Sequence, residues 1–382
     1  MPAAGLDTSE LTAYGLPLTK AGHVFPEVVQ VHKALGQPAF ALPVGTPVGD
    51  LTGVVTYENG NYMVLLDTII DERAYPAPTA PSITPPTLPE GVRIATYNAE
   101  NLSVAGEGAA ARFAAIARQI VDQLGSPDII ALQEVQDDDG AGASAVITAA
   151  TTIQTLIEAI ASAGGRAYEA VSYDPTLPNT DGGAPGANIR TVFLVATDSA
   201  VNVLASERLF DGSDRCDATV NPFQASRRPL LMEAEINGVR FAFVNLHLSS
   251  KLGDQGLYSN AEDPRPGSTE RRRRQAAALV VELERRYADN PPVILLMGDF
   301  NDHSDAAALQ PFHDSALGFE FLADHRGADY TASYSFNGVR EAIDHFVVGG
   351  ARLAGSHVSY LNLNADELKQ VSDHNPVVLV ME

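Results

Sequence analysis

The sequence has no tryptophan and a single cysteine, Cys216. One thiol excludes an internal disulfide, so no covalent bridge within the chain holds the fold. It also argues against thiol chemistry, because Asp214-Arg215-Cys216-Asp217 offers the sulfur no activating base. Lysine is scarce too, at Lys20, Lys33, Lys251 and Lys369. With 25 basic residues against 48 acidic ones, the formal net charge is −23. That balance disfavours tight, sequence-independent docking on nucleic acid, which relies on lysine and arginine to neutralise phosphates. It leaves room for a nuclease whose bound divalent cations supply positive charge where the phosphate sits. Also missing is any apolar run near the ~20 residues that span a bilayer, so no membrane insertion is expected. No basic stretch followed by an apolar core opens the chain, so no signal peptide is visible.

What is present is an ordinary globular balance, with 45% apolar and 19% charged residues over 382 positions. That length allows one large domain or two. Residues 76–89 hold six prolines, Pro76, Pro78, Pro81, Pro85, Pro86 and Pro89, which leave no room for a helix or a central strand. The division expected is a small β-rich module over 1–75, of partial oligonucleotide-binding-barrel type, a proline-rich linker over 76–90, and a catalytic domain over 91–382. Within the module, Asn59-Gly60 between two β-rich runs over 53–67 predicts a hairpin.

After the linker, β-rich runs alternate with helical patterns. Strands are predicted at 93–97, 128–133, 191–196, 230–236, 240–246, 293–297 and 375–381, and helices at 109–124, 145–163 and 270–287. Hairpins mixed with helices indicate the α+β class, a four-layer sandwich of two packed, mostly antiparallel sheets flanked by helices.

Five polar clusters sit at the ends of those strands: Tyr97-Asn98, Gln133-Glu134, Asn245-Leu246-His247, Gly298-Asp299-Phe300-Asn301 and Ser372-Asp373-His374. Singly, each has a bland explanation: a cap, a solvated charge, a core histidine, or a turn rich in Gly, Asp and Asn. Together they place carboxylates, amides and imidazoles where strand ends converge, which is where open sheets bind ligands. Carboxylates beside core strands need a partner, and a hard, oxygen-seeking cation such as Mg²⁺ (or Mn²⁺ or Ca²⁺) is an economical one.

In that order, Asn98, Gln133-Glu134, Asn245 to His247, Asp299-Phe300-Asn301, Asp344 and Ser372-Asp373-His374 resemble the endonuclease/exonuclease/phosphatase superfamily of pancreatic-type deoxyribonucleases, sphingomyelinases and inositol phosphatases. The resemblance covers roughly residues 91–382. The hairpin and proline linker ahead of it look like the arrangement in bacterial extracellular nucleases, which implies work outside the cytoplasm, in the periplasm or beyond. The resemblance implies that Asn98, Glu134 and Asp373 hold a divalent metal. It implies further that Asp344 orients His374 as a base, and that Asp299 positions or deprotonates the attacking water. Asn301 would donate to the phosphoryl oxygens, and His247, with Asn245 beside it, would stabilise the phosphate and protonate the leaving oxygen. The division of proton work between Asp299 and His374 stays open.

One departure stands out. In the pancreatic-type enzymes an acid supports the counterpart of His247, on the strand that here reads Ala187 to Thr191, and none is present. Asn188 and Arg190 are the candidates to touch the phosphate in its place. Arg271 to Arg274, opening an amphipathic helix, offer a phosphate-binding patch as one reading, but the expectation preferred is that they face solvent or pair with acids. Arg227-Arg228, before a strand, are expected to approach the cleft. The function expected is nuclease-like hydrolysis of a phosphodiester, nucleic acid foremost. A phosphomonoesterase or a sphingomyelinase-type phospholipase is the alternative within the same chemistry, and a binding module that has lost catalysis is the alternative outside it.

Overall fold

The structure, a computed structural model, describes residues 29–37, 42, 46–58, 61–75, 87–142, 144–211, 221–252, 254, 267–327, 331–336, 339–353, 355–365 and 370–382. Cys216, the Asn59-Gly60 turn and most of the proline-rich stretch lie outside them.

Three strands precede that stretch: β1 (Val31–His32), β2 (Gly53–Glu58) and β3 (Asn61–Leu66), in the order β1-β3-β2. β2 and β3 pair antiparallel from Gly53 opposite Leu66 to Glu58 opposite Asn61, as a hairpin requires. Their apolar cluster is small, with Ala34, Leu66 and Ile70 buried.

The rest is built on two six-stranded sheets. The elements in chain order are β4 (Val92–Leu102), α1 (Ala109–Arg118), β5 (Ile129–Val135), α2 (Ala150–Ser162), β6 (Tyr168–Val171), β7 (Arg190–Ala196), β8 (Val201–Arg208), β9 (Leu230–Ile236) and β10 (Val239–His247). They continue with α3 (Thr269–Arg286), β11 (Val293–Asp299), α4 (Gln310–His313), β12 (Glu320–Leu322), β13 (Tyr334–Phe336), β14 (Val339–Glu341), β15 (Asp344–Gly350), β16 (Ser356–Tyr360) and β17 (Val377–Met381). One sheet runs β16-β17-β4-β5-β7-β6, the other β12-β15-β11-β10-β9-β8.

Each sheet has one parallel pair at its centre, β4 with β5 and β10 with β11, and the remaining pairs are antiparallel. Parallel neighbours need a crossover, and α1 and α3 supply the two. The sheets face each other across Ile94, Phe193, Met232, Phe243, Leu295 and Leu379. α1 and α2 cover the outer face of the first sheet through Phe113, Ile116, Leu156 and Ile160. α3 and α4 cover the second through Leu279, Leu283 and Phe312. Successive residues of the central strands therefore face different layers, and these strands read as unbroken apolar runs because both faces are covered.

Two boundaries differ from the sequence reading for local reasons. The helix expected from residue 145 begins at Ala150, where the Asp138 carboxylate accepts from the backbone N–H groups of Thr151 and Thr152. The helix expected through residue 124 stays α-helical to Arg118 and continues over Gln119–Gln123 as a wider π turn.

The topology also fixes where chemistry gathers. β4, β5, β10 and β11 all end at one rim, and β15 and β17, running antiparallel to β11 and β4, begin there. Crevices beyond the carboxyl ends of parallel strands are the usual ligand sites of such sheets.

Candidate active site

At that rim the backbone leaves regular geometry. The β4–β5 ladder slips between Asn98 and Leu102, and the β5–β7 ladder between Leu132 and Val135. Bulges re-aim side chains, and these two turn Asn98, Glu100 and Glu134 toward the gap between the sheets. Glu100 (φ 45°), Asn101 (φ 53°), Glu134 (φ 59°) and Asn301 (φ 54°) adopt left-handed backbone. For residues with a side chain this costs on the order of 1–3 kcal/mol each, and such strain concentrates at functional sites.

The centre of the cluster is Asp299, buried at the end of β11. Its Oδ1 accepts from the Asn301 backbone N–H at 2.8 Å. Its Oδ2 accepts from Asn301 Nδ2 and Asn98 Nδ2, each at 3.1 Å. Asn98 Nδ2 also donates to Glu134 Oε1 at 3.1 Å, so one amide braces two carboxylates. Burial pushes the Asp299 carboxyl up to about 7, with Asp344 and Glu134 adding to the rise and His374 opposing it.

Two imidazoles flank Asp299. His247 Nε2 lies 3.4 Å from Asp299 Oδ2 and 3.8 Å from Glu134 Oε1. Among the described residues its Nδ1 has no hydrogen-bond partner. Burial, then the charges of Arg227 and His374, hold this ring well below the ordinary histidine pKa, so it is neutral. Residues 187–191 hold no acid that could accept from that nitrogen. Asn188 does not replace it: its Nδ2 donates to Asp137 at 2.6 Å and to two carbonyls. Arg190 is likewise committed, to Asp174 and to the Ile147 carbonyl. Neither reaches the rim as a phosphate ligand.

His374 is held differently. Asp344 Oδ2 accepts from its Nδ1 at 2.7 Å, which leaves Nε2 facing Asp299 Oδ2 at 3.9 Å and Asp373 Oδ1 at 4.0 Å. Burial opposes a charge on this ring, yet Asp344, Asp299 and Asp373 outweigh it and raise its pKa well above the ordinary value. The Tyr334 ring packs on the imidazole with centroids 4.8 Å apart. Sequence reading did not single out Tyr334; its place on β13, whose strand bridges to His374, is a tertiary fact.

The implied metal can be tested against these donors. Glu134, His247 and Asp299 offer ligand atoms within 4.8 Å of one another. Around them Asp373 and Glu100 also carry raised pKa values, through burial first. Glu134 and Asp344 add to the rise at Asp373 against the His374 charge, and Asp373 and Glu134 to that at Glu100 against Arg112. A buried, carboxylate-rich cluster with so little compensating charge suits a hard divalent cation. Of the three expected ligands, Glu134 is in this group. Asp373 lies beside His374, with its backbone N–H donating to Glu100 Oε2 at 3.1 Å. Asn98 presents its nitrogen to the carboxylates, while its oxygen accepts from the Glu100 N–H, so ligation through Asn98 needs the amide turned over.

Two other amides expected in catalysis have structural bonds. Asn245 is fully buried; its Oδ1 accepts from Gln133 Nε2 at 2.7 Å and its Nδ2 donates to the Leu132 and Val192 carbonyls. It joins the two sheets beneath the rim and leaves no donor for a substrate. Asn301 spends Nδ2 on Asp299 and the Leu248 carbonyl, so it orients the carboxylate before it can meet a phosphate. Arg228 is tied back to Asp181 at 2.6 Å, whereas Arg227 reaches the rim and donates to the same Leu248 carbonyl at 2.6 Å.

A convergent set of acids and imidazoles on a two-sheet sandwich is the apparatus of a phosphoester hydrolase. The chain belongs to the Endonuclease/Exonuclease/phosphatase family, whose model matches residues 95–374. Members of this family are typically hydrolases of phosphoesters that use divalent metals. A search of curated proteins finds no match. Among solved structures, this chain is similar to the human Nocturnin catalytic domain with a bound sulfate anion, at 17% identity and TM-score 0.52, covering 76% of this chain and 95% of that one. It is similar also to truncated Caenorhabditis elegans TDP2, at 18% identity and TM-score 0.50, covering 76% and 98%. A family protein from Leptotrichia buccalis matches at 17% identity and TM-score 0.50, covering 76% and 99%. These likenesses speak for the fold. No helix among the described residues is long and apolar enough to cross a membrane.

Proposed function

We propose that this chain is a metal-dependent phosphodiesterase of nuclease type, acting on nucleic acid. The observation that carries the reading is the arrangement around Asp299: a neutral imidazole at 3.4 Å on one side and an Asp344-held imidazole at 3.9 Å on the other. Glu134 is the residue placed to hold the cation, with Asp299 and His247 near enough to share it. The cation, when bound, offsets phosphate charge and polarises the phosphoryl oxygen.

The chain's own groups divide the remaining work. Asp299, poised at about 7, accepts the proton of the attacking water and is held for that by Asn301. Asp344, Asp299 and Asp373 keep the His374 ring cationic, so Nε2 carries a proton as well as Nδ1, and it donates to the phosphoryl oxygens as negative charge grows. This gives the proton acceptance to Asp299 rather than to His374. His247, neutral and buried with Nε2 3.4 Å from Asp299, relays the proton taken from water to the leaving oxygen as the P–O bond breaks, and Arg227 supplies a fixed guanidinium beside it.

The test is a metal-dependence panel on plasmid DNA, single-stranded DNA, RNA, bis-(p-nitrophenyl) phosphate, p-nitrophenyl phosphate and sphingomyelin. Phosphodiester hydrolysis abolished by EDTA and restored by Mg²⁺ or Mn²⁺ is expected. Full activity after exhaustive chelation would sink the metal assignment. Turnover confined to p-nitrophenyl phosphate or to sphingomyelin would replace the diesterase reading with the monoesterase or the phospholipase one.

A further inference from the structure

In a chain of net charge −23, a buried or half-buried arginine with no acid at ion-pair distance is informative. Arg227 and Arg271 are two such residues, and they are neighbours. Arg227, buried just before β9, donates from Nη2 to the Leu248 carbonyl, while its Nε has no partner among the described residues. Arg271, half-buried in the first turn of α3, donates from Nη2 to the carbonyls of Gln224 and Ala225 at 2.6 and 2.9 Å. Among the described residues, neither guanidinium has a carboxylate within ion-pair distance.

The other arginines of the region are spoken for. Arg272 pairs with Asp302 at 3.0 Å and Arg273 with Glu270 at 2.8 Å. The segment carrying the pair is rigid: Gln275 donates to Ser226 Oγ at 2.9 Å and to the Pro222 carbonyl, and accepts from the Ser249 N–H at 2.9 Å. Burial first, and then the Arg271 charge, hold the Arg227 pKa below its ordinary value, against the pull of Glu134 and Asp299. Two adjacent guanidiniums fixed by carbonyls and left without counter-ions are costly in isolation. Planar guanidinium forks of this kind match phosphate oxygens.

We infer that Arg271, next to Arg227, forms a second phosphate subsite, which takes the phosphate adjacent to the scissile one along a polynucleotide backbone. The identity of that ligand rests on the phosphodiesterase reading above. The subsite extends positive charge from the catalytic rim onto the start of α3, and it gives an acidic protein a local grip on a polyanion. Arg271 contacts substrate in this assignment without touching the reacting atoms.

The experiment is fluorescence anisotropy of a labelled hexathymidylate with the full chain in EDTA, where cleavage is stopped, over a range of KCl concentrations. Losing one phosphate contact should lower the slope of log affinity against log salt by about 0.7, the single-strand value. Arg271→Ala should show that drop and bind about tenfold more weakly. Arg271→Lys, which keeps a charge and a donor, should recover most of the slope, which separates lost contact from a disturbed loop. Arg273→Ala removes an equal charge from the solvent side of the same helix and should leave the slope unchanged. An unchanged slope for Arg271→Ala, an equal drop for Arg273→Ala, or no binding by the unaltered protein would each overturn the subsite. Hydrolysis of bis-(p-nitrophenyl) phosphate is measured alongside. If it is absent while the slope shift holds, the catalytic reading fails and the subsite stands.

Discussion

His247 and His374 face the same carboxylate oxygen from opposite sheets, and their surroundings give them opposite characters. The end of β10 buries His247 near two cations, Arg227 and His374, offers its Nδ1 no acceptor among the described residues, and keeps the ring neutral. The edge before β17 gives His374 an Asp344 partner at 2.7 Å and further acids beyond it, and keeps the ring charged. The difference teaches that the residue type does not set the role. The second nitrogen of each ring does, because whatever it bonds to decides what the first can offer.

The most severe way to break the comparison is to remove either ring. His374→Ala should lower kcat on bis-(p-nitrophenyl) phosphate by about three to four orders of magnitude, and His247→Ala by about two to three, within the range for such groups. Glu134→Gln should instead weaken metal affinity, so that added Mn²⁺ restores part of its rate. Equal rescue of the histidine variants by metal would contradict the separation of roles.

A smaller loss is expected from Asp344→Asn, roughly ten- to a hundredfold in kcat, because the ring remains and only its anchor is weakened. A loss as large as that of His374→Ala would mean that Asp344 does more than hold the ring.

The two histidines should also pull stability in opposite directions with pH. For His374 the folded pKa lies above the unfolded value of about 6.5, so its contribution is complete below about 6.5 and is lost as pH rises through the folded pKa. For His247 the folded pKa lies below about 6.5, so stability falls as pH drops from there toward the folded value. Urea denaturation of metal-free protein across this range should show His374→Gln flattening the alkaline limb and His247→Gln the acidic one. The same limb flattened by both would show that the rings share one environment.

The smallest effect is expected from deleting residues 1–89. We propose that both histidine corners belong wholly to the sandwich, so a chain beginning at Glu90 should keep kcat on a small diester within about twofold. Insolubility or inactivity of that chain would place the N-terminal strands in the catalytic core.

Much of this architecture was legible in the residues. The apolar strands and the polar groups ending them pointed to a rim of converging carboxylates and imidazoles, and the missing acid beside His247 was visible as an absence. Three kinds of information were not. Periodicity says which way a strand residue faces but not whom it meets, so Asn245 read as a site residue while its bonds run to Gln133, Leu132 and Val192. Edge strands such as β8, half exposed over Val201–Arg208, lack the apolar signature that marks central ones. The left-handed backbone at Glu134, an unlikely place for a glutamate, is imposed by the β5 bulge and leaves no trace in composition. Arg227 and Arg271 stood out in the sequence only as members of basic runs; which of those arginines lack an acid is a question that needs coordinates.

The two parallel pairs sit in different sheets, and this has a consequence for when the protein becomes active. One pair delivers Asn98 and Glu134, the other His247 and Asp299, while Asp344 and His374 arrive from strands formed much later in the chain. Neither sheet alone holds the full set, so a molecule in which only one of them has formed should be inactive. Catalytic competence should therefore be the last property regained on refolding, appearing in step with the docking of sheet on sheet and behind the recovery of secondary structure.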